Sequence, residues 1–225
     1  VLNFLKENAV FDDTLVVVIS DNGATAEGGK TGSVNHRRHV FIERETTADR
    51  IAGMDNIGSE FASNCYPEGW AQVSNTPLKW YKKDTHGGGV VAPPIFHWPT
   101  NITARGSVKK QYHHVVDVAP TILDLLGIES PSEFNGIEQL PIDGTSMRYT
   151  FDPAAPTTGR QTQYYEILGD RAIWHNGWKA VARHEKGTDF DADRWELYHT
   201  DRDFSECNDL AEKEPERLRE LIDMW

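Results

Sequence analysis

The sequence has few cysteines and no long apolar run, and these two features limit what the protein can be. Its two cysteines, Cys65 and Cys207, lie far apart in the chain. One disulfide and two free thiols are both compatible with this spacing, so the redox compartment stays open. No apolar stretch approaches the length of a membrane-spanning helix, and no signal peptide is visible.

Basic residues are also scarce. Lysine and arginine total 23 against 35 acidic residues, which gives a formal net charge of −12. This balance argues against nucleic acid or an anionic membrane as the main partner. A small anionic substrate remains compatible, because a local group of cations can bind an anion inside an acidic protein.

The chain begins with Val1 rather than Met, and it starts and ends within helical patterns. We therefore expect a piece of a longer protein. An apolar fraction of 38% in 225 residues is enough for a core. The composition changes from about residue 130, where four prolines separate short segments: Pro131, Pro141, Pro153 and Pro156. We predict an α/β domain portion at 1–130 and a smaller subdomain at 131–225.

The most informative stretch is residues 14–23, Thr-Leu-Val-Val-Val-Ile-Ser-Asp-Asn-Gly. A short β-branched run bounded by polar residues predicts a strand buried on both faces of a helix-covered sheet. Ligand sites in such sheets lie beyond the carboxyl ends of the strands, where Asp21 and Asn22 stand. Their oxygens are of the type that Ca²⁺ and Mg²⁺ prefer. The alternative interpretation is an ordinary turn, which the same three polar residues also favour.

A second informative stretch runs from Leu78 to Pro99. It holds Lys82, His86 and three consecutive glycines, which allow the backbone to approach a ligand or another element closely. Lys82 has the chemistry to bind an anion as a compact point charge. Taken alone, an exposed structural lysine and a hydrogen-bonded loop histidine are the more common outcomes.

The remaining patterns predict scaffold. Between the two stretches lies a long polar region with some helix near residues 48–53. Residues 114–127 predict a helix with a buried stripe of leucine and isoleucine and a stop at Gly127. Strands are predicted at 163–167, 171–175, 178–183 and 195–198, with Asn176-Gly177 as a two-residue hairpin turn. A helix is predicted from Pro215, a residue that suits a first turn.

Read in order, these motifs resemble the second half of a type I sulfatase. The segment at 14–23 is followed by Asn-Thr-Pro at 75–77, Lys-x-x-Thr-His-x-Gly-Gly at 82–89 and His-Trp-Pro at 97–99. His-Val-Val-Asp-Val-Ala-Pro-Thr-Ile-Leu at 114–123 is similar to a helix of arylsulfatases. Each motif is weak alone, but their fixed order extends over the whole chain.

The resemblance implies an alkaline-phosphatase-like α/β fold, with a partial mixed sheet, flanking helices and a small C-terminal α+β subdomain that carries an antiparallel sheet and a helix. It also implies metal-dependent hydrolysis of a small-molecule sulfate ester, with Ca²⁺ as the metal and Mg²⁺ as the alternative. Asp21 and Asn22 match metal ligands of the family, and Asp21 also lies near the nucleophile and can take its proton. Lys82 matches the lysine that holds a sulfate oxygen and steadies the leaving oxygen, and we assign His86 to substrate binding beside it.

Two departures from the family qualify this assignment. Gly87 stands where the family often has glutamate, and no Cys/Ser-x-Pro-x-Arg motif exists from which formylglycine is made. Formylglycine is therefore expected only in a missing N-terminal half of the same protein, and that half is the expected partner. We expect the isolated chain to be inactive, and the parent protein to be periplasmic or extracellular by resemblance. The alternatives are a phosphonate or phosphate monoester hydrolase of the same superfamily and a non-catalytic degenerate fragment.

Overall fold

The structure is a computed structural model that describes residues 1–152, 154–155 and 158–225. Pro153 and Pro156, two of the prolines that we expected to mark a subdomain, lie outside the described residues. The chain forms two compact units, one of residues 1–19 and 94–163 and one of residues 20–93 and 164–225. These units interleave along the chain, so they do not test the sequential boundary at residue 130, which stays a prediction.

The bounds of the regular elements are as follows. The α-helices of the described residues are α1 (Leu2–Glu7), α2 (His36–Phe41), α3 (Thr47–Gly53), α4 (Glu68–Asn75), α5 (Gly87–Val90), α6 (Val118–Leu126) and α7 (Pro215–Met224). The strands are β1 (Val16–Val18), β2 (Ile95–His97), β3 (Glu133–Phe134), β4 (Ile137–Glu138), β5 (Thr162–Ile167), β6 (Asp170–His175), β7 (Trp178–Ala182) and β8 (Trp195–His199).

In the first unit, β1 pairs with β2 in a two-stranded antiparallel ribbon. Val16 and Val17 are half-buried, but Val18 is 53% exposed and Ile19 is 46% exposed. The prediction of a strand buried on both faces is therefore wrong for this chain. Among the described residues β1 pairs with β2 alone, and pairing at an edge does not cover the faces of a β-branched run.

The predicted helix at 114–127 forms as α6, preceded by one turn of 3₁₀-helix at Val115–Asp117. Gly127 ends it in the left-handed conformation, with φ of 64°, and its N–H donates to the carbonyl of Asp124. The expected burial of the apolar stripe is wrong, since Ile122 and Leu126 are 38% and 63% exposed. Thr121 is the helix residue that turns inward, where its hydroxyl accepts from Met147 N–H.

The second unit holds an antiparallel sheet in the order β5-β6-β7-β8. All four strands and the helix from Pro215 are confirmed. The hairpin between β6 and β7 turns at Asn176 and Gly177, with φ of 46° and 84°. Two successive positive φ values are what a two-residue hairpin turn requires, and Asn-Gly supplies them at little steric cost.

The core of this unit lies on both faces of the sheet. On one face Ile173, Ala180 and Leu197 pair across β6, β7 and β8 and pack with Leu221 of α7. On the other face Ala172 and Val181 pack with Tyr198. Because neighbours along a strand point to opposite faces, each of these strands contributes to both clusters.

Three further findings concern the whole described chain. The mixed α/β content, the antiparallel sheet and the C-terminal helix agree with the predicted fold class. Cys65 is half-buried and Cys207 is exposed, and both are free thiols. Among the described residues, no helix has the length and hydropathy of a membrane span.

Candidate functional site

Asp21 and Asn22 follow the end of β1 by three and four residues and belong to the second unit. Asp21 is exposed, and the Asn22 side-chain amide donates to one of its carboxylate oxygens at 2.8 Å. The Ser20 hydroxyl donates to the Asn22 carbonyl at 2.9 Å, which closes a tight local turn. The two side chains therefore lie side by side near the surface.

Asn75, at the end of α4, fixes the chain that leaves this turn. Its side-chain carbonyl accepts from Ala24 N–H at 2.9 Å, and its side-chain amide donates to the carbonyls of Trp80 and Gly88 at 3.0 and 2.8 Å. Gly23 adds a backbone bond to Gly89 at 3.3 Å. One amide side chain thus joins the segment after Asn22 to the glycine-rich segment.

Lys82 is brought to this same place by its backbone. Its N–H donates to the carbonyl of Ala24 at 2.9 Å, two residues beyond Asn22. A Cβ on Gly23 would lie 1.7 Å from the Gly88 carbonyl oxygen, so close approach of the two segments requires glycine there. The structure therefore brings Asp21, Asn22 and Lys82 onto adjoining segments, and we call these three residues the candidate site.

The Lys82 side chain is about one third exposed and pairs with Glu27. Its ammonium lies 3.6 Å from one carboxylate oxygen of Glu27, while Lys83 approaches the other oxygen at 2.8 Å. The Thr25 hydroxyl also donates to Glu27 at 3.1 Å. The hydrogen bond from Lys83 is the largest influence on Glu27 and lowers the pKa of its carboxyl group to about 2, although burial opposes it.

His86 lies elsewhere in the same unit, in a buried network. Its side chain is 1% exposed, and its Nδ1 and Nε2 lie 2.6 Å from Asp84 and 2.8 Å from Glu196. Glu196 also accepts from Lys79 at 3.0 Å and from the Tyr198 hydroxyl at 2.5 Å. Both ring nitrogens are therefore engaged by carboxylates, and the structure does not bring His86 to an exposed surface beside Lys82. Substrate binding by His86 stays a prediction, and this burial weighs against it.

The network also shifts the pKa values of its members. Burial alone would lower the pKa of His86, but hydrogen bonds to Asp84 and Glu196 outweigh it and the pKa is raised. The hydrogen bond from His86 in turn holds the pKa of Glu196 far below its usual range. The histidine between two carboxylates fastens the segment at 84–86 to strand β8.

The oxygens of Asp21 and Asn22 fit a hard divalent cation in kind but not in number. Ca²⁺ takes six to eight oxygen ligands, and these adjacent side chains supply a small part of that set. In the portion of the chain that is described, no group of three or more acidic, histidine or cysteine residues is arranged to hold a metal. Metal binding by Asp21 and Asn22 therefore stays a prediction.

Sequence reasoning missed Glu27 and Lys83, and it noted Asn75 only as part of a motif. Asn75 bonds to Ala24 and Gly88, at separations of 51 and 13 residues, and no helical or strand period reveals such pairs. Homologous sequences would be the signal to find them, because residues that bond across a loop of this length leave no local pattern.

The family model described as Sulfatase matches residues 1–128, more than half of the chain. The chain belongs to the sulfatase family. A second model, the C-terminal domain of N-sulphoglucosamine sulphohydrolase, matches residues 78–223. This sulfatase chain is 28% identical over its whole length to an uncharacterized sulfatase of Schizosaccharomyces pombe. It is 29% identical over 144 residues, 64% of the chain, to an arylsulfatase of Klebsiella aerogenes.

The chain spans 39% and 29% of the lengths of these two relatives. Among solved structures, it resembles Ps i-CgsB with a TM-score of 0.63 at 23% identity, over 99% of this chain and 38% of that one. It also resembles the phosphonate monoester hydrolase of Agrobacterium radiobacter with a TM-score of 0.54 at 14% identity, over 99% of this chain and 36% of that one. These likenesses confirm the alkaline-phosphatase-like α/β fold that the motifs implied.

Proposed function

We propose that this chain supplies the lysine and part of the metal site of a sulfatase, and that the complete enzyme hydrolyses sulfate esters of the arylsulfatase type. Membership of the sulfatase family supports the reaction class. The observation that carries the assignment of residues is the backbone bond from Lys82 to Ala24, because it joins the lysine segment to the Asp21-Asn22 turn. The small-molecule sulfate ester and an N-terminal half of the same protein are the proposed partners.

In this proposal the Lys82 ammonium stabilises the transition state electrostatically. A sulfate ester is an anion whose charge moves toward the bridging oxygen as the ester bond breaks. An ammonium group held near that oxygen stabilises the transition state more than the ground state. Lys82 is suited to this role because its backbone is fixed by Ala24 and its side chain is one third exposed.

Asp21 and Asn22 have two proposed roles. Their oxygens hold Ca²⁺, or Mg²⁺ as the alternative, which when bound supplies positive charge beside the sulfate group. Asp21 is exposed, so its carboxylate is also accessible to take a proton from a nucleophile. The nucleophile, which is a formylglycine in type I sulfatases, is proposed to lie outside these 225 residues. We also propose a periplasmic or extracellular location for the complete protein.

The test uses the complete protein expressed from its full coding sequence. We expect turnover of an aryl sulfate, loss of that turnover with a chelator, and a loss of about 10²-fold or more in kcat/KM for Lys82→Ala. Lys213→Ala removes an exposed lysine outside the candidate site and serves as the matched control. The isolated chain is expected to show negligible turnover and weak Ca²⁺ binding.

Three results would count against the proposal. Preference for a phosphate or phosphonate monoester over the aryl sulfate would favour the alternative hydrolase. Absence of a Cys/Ser-x-Pro-x-Arg motif in the upstream coding sequence would favour a degenerate, non-catalytic fragment. Wild-type turnover by Lys82→Ala would remove the proposed role of the lysine.

A further inference from the structure

Glu27 lies between Lys82, the lysine of the candidate site, and its neighbour Lys83, and it pairs with both. Its carboxylate oxygens lie 2.8 Å from the Lys83 ammonium and 3.6 Å from the Lys82 ammonium. The Thr25 hydroxyl donates to the oxygen that faces Lys82, at 3.1 Å. Both oxygens of Glu27 are therefore committed, and the side chain is held from three sides.

This arrangement sets the positive charge that the cluster of Glu27, Lys82 and Lys83 presents to an incoming anion. Two ammonium groups and one carboxylate leave a single net positive charge in the cluster of Glu27, Lys82 and Lys83. Glu27 keeps its charge at every pH of interest, since hydrogen bonding to Lys83 holds its pKa at about 2. Its side chain is 28% exposed, so the cluster is in contact with solvent and open to an anion.

We propose that Glu27 is a specificity-determining residue, which limits the anion subsite at Lys82 to one net positive charge and so favours singly charged anions over doubly charged ones. A sulfate monoester carries one negative charge, whereas a phosphate monoester carries two above its second pKa. Glu27 thereby selects sulfate esters over phosphate esters of the same shape. The inference rests on the proposed function, because it takes Lys82 as the anion-binding lysine.

The expected size of the effect follows from Coulomb's law near a protein surface. Changing the cluster by one unit charge alters the interaction with a dianion by about twice as much as with a monoanion. At a partly exposed site in moderate salt, this difference corresponds to about a tenfold change in the ratio of the two affinities. The change is measured as a ratio, so a general gain or loss of anion binding cancels.

The experiment measures binding of two probes of similar shape, methyl sulfate and methyl phosphate, at pH 8 where methyl phosphate is a dianion. The ¹⁵N-labelled chain is titrated with each probe at constant ionic strength, and the amide of Lys82 reports binding by NMR. Glu27→Gln is expected to shift the affinity ratio about tenfold toward methyl phosphate. Lys83→Gln removes a positive charge from the same cluster and is expected to shift the ratio in the opposite direction.

Glu212→Gln is the matched control, because it removes one exposed carboxylate from the same unit outside the cluster. Its ratio is expected to equal that of the wild type. The folded state of each variant is checked from its NMR spectrum, and Lys83→Gln tests the charge argument independently should Glu27→Gln unfold the chain.

The outcomes separate this inference from the proposed function. Wild-type binding at Lys82 with a ratio that neither Glu27→Gln nor Lys83→Gln shifts would overturn the inference and leave the proposed function standing. Failure of the wild type to bind either probe at Lys82, together with no aryl sulfate turnover by the complete protein, would overturn both.

Discussion

The Lys179 ammonium lies 2.7 Å from a carboxylate oxygen of Glu206, and the two side chains are only 3% and 2% exposed. The second oxygen of Glu206 accepts the backbone N–H of Gly87 at 2.7 Å. The ion pair thus connects strand β7 to the start of the glycine-rich helix α5. It stands beside the network of His86 and Glu196, and together these contacts hold the segment that carries Lys82 against the sheet.

Lys179→Met is expected to lower the free energy of unfolding by about 3 kcal/mol, because it leaves the Glu206 carboxylate buried without a countercharge. Adding Glu206→Gln should recover part of this loss, since the amide carries no charge and its oxygen still accepts from Gly87 N–H. Urea unfolding of the wild type, the single variant and the double variant measures both effects. A double variant less stable than Lys179→Met would contradict the argument.

Stability should depend on pH through His86. The pKa of His86 is raised in the folded state, since hydrogen bonds to carboxylates outweigh its burial. This contribution is fully present below about pH 6.5, the unfolded value, and is lost as the pH rises through the folded value. In that window the wild type should lose up to about 1.4 kcal/mol per pH unit, which is the free energy of one proton.

Unfolding by urea at a series of pH values from 5.5 to 9 tests this dependence. His86→Gln should flatten the decline above pH 6.5, although it lowers stability at every pH. An unchanged slope in His86→Gln would show that another group titrates.

Gly88 and Gly69 should respond oppositely to alanine. A Cβ on Gly88 would lie 1.9 Å from the Trp80 carbonyl oxygen and 2.5 Å from that of Lys79, and backbone atoms there have no room to move. Gly88→Ala should cost about 3 kcal/mol or more. Gly69 lies within α4 and has no atom within 4 Å of the added carbon, so Gly69→Ala should gain about 0.5–1 kcal/mol. Thermal unfolding of both variants decides the comparison.

Asn75 tests whether one side chain fixes the candidate site. Asn75→Ala removes one acceptor and two donor bonds and should cost about 2–3 kcal/mol. Asn75→Asp keeps the acceptor but points a carboxylate oxygen at two carbonyls, so it should cost more than alanine. Hydrogen exchange at the amide of Ala24 should accelerate in both variants, whereas Asn56→Asp, an exposed change, should leave it as it is. Slow exchange at Ala24 in Asn75→Ala would contradict the assigned role.

The strands, the hairpin and the last helix of the second unit were predicted correctly, because each depends on residues that are neighbours in the sequence. Asn176-Gly177 needs only its own backbone preferences to form a hairpin, and Pro215 needs only its ring to begin a helix. The alternation at Ile173 and Ala180 likewise follows from the two-residue period of a strand. The family resemblance placed Lys82 near the Asp21 turn, which the backbone bond to Ala24 supports.

What the sequence did not predict depends on partners far along the chain. Burial of β1 was inferred from its composition and burial of α6 from the spacing of its apolar residues. Neither signal says what covers an apolar face, and Val18 and Leu126 are exposed. His86 was assigned to substrate binding from its position in a motif, whereas the carboxylate that occupies its Nε2 comes from residue 196, on β8. Glu27 was not predicted, because Lys82 and Lys83, with which it pairs, follow it by 55 and 56 positions.

The two free thiols differ in a way that makes them separate reporters. Burial, with the Glu27 charge adding to it, raises the pKa of the Cys65 thiol, whereas Cys207 is exposed. A maleimide dye should therefore label Cys207 first and leave Cys65 unlabelled for longer. A fluorophore on Cys207 leaves the lysine cluster unmodified. The rate of the slower labelling at Cys65 then measures how often the polypeptide around Cys65 opens locally.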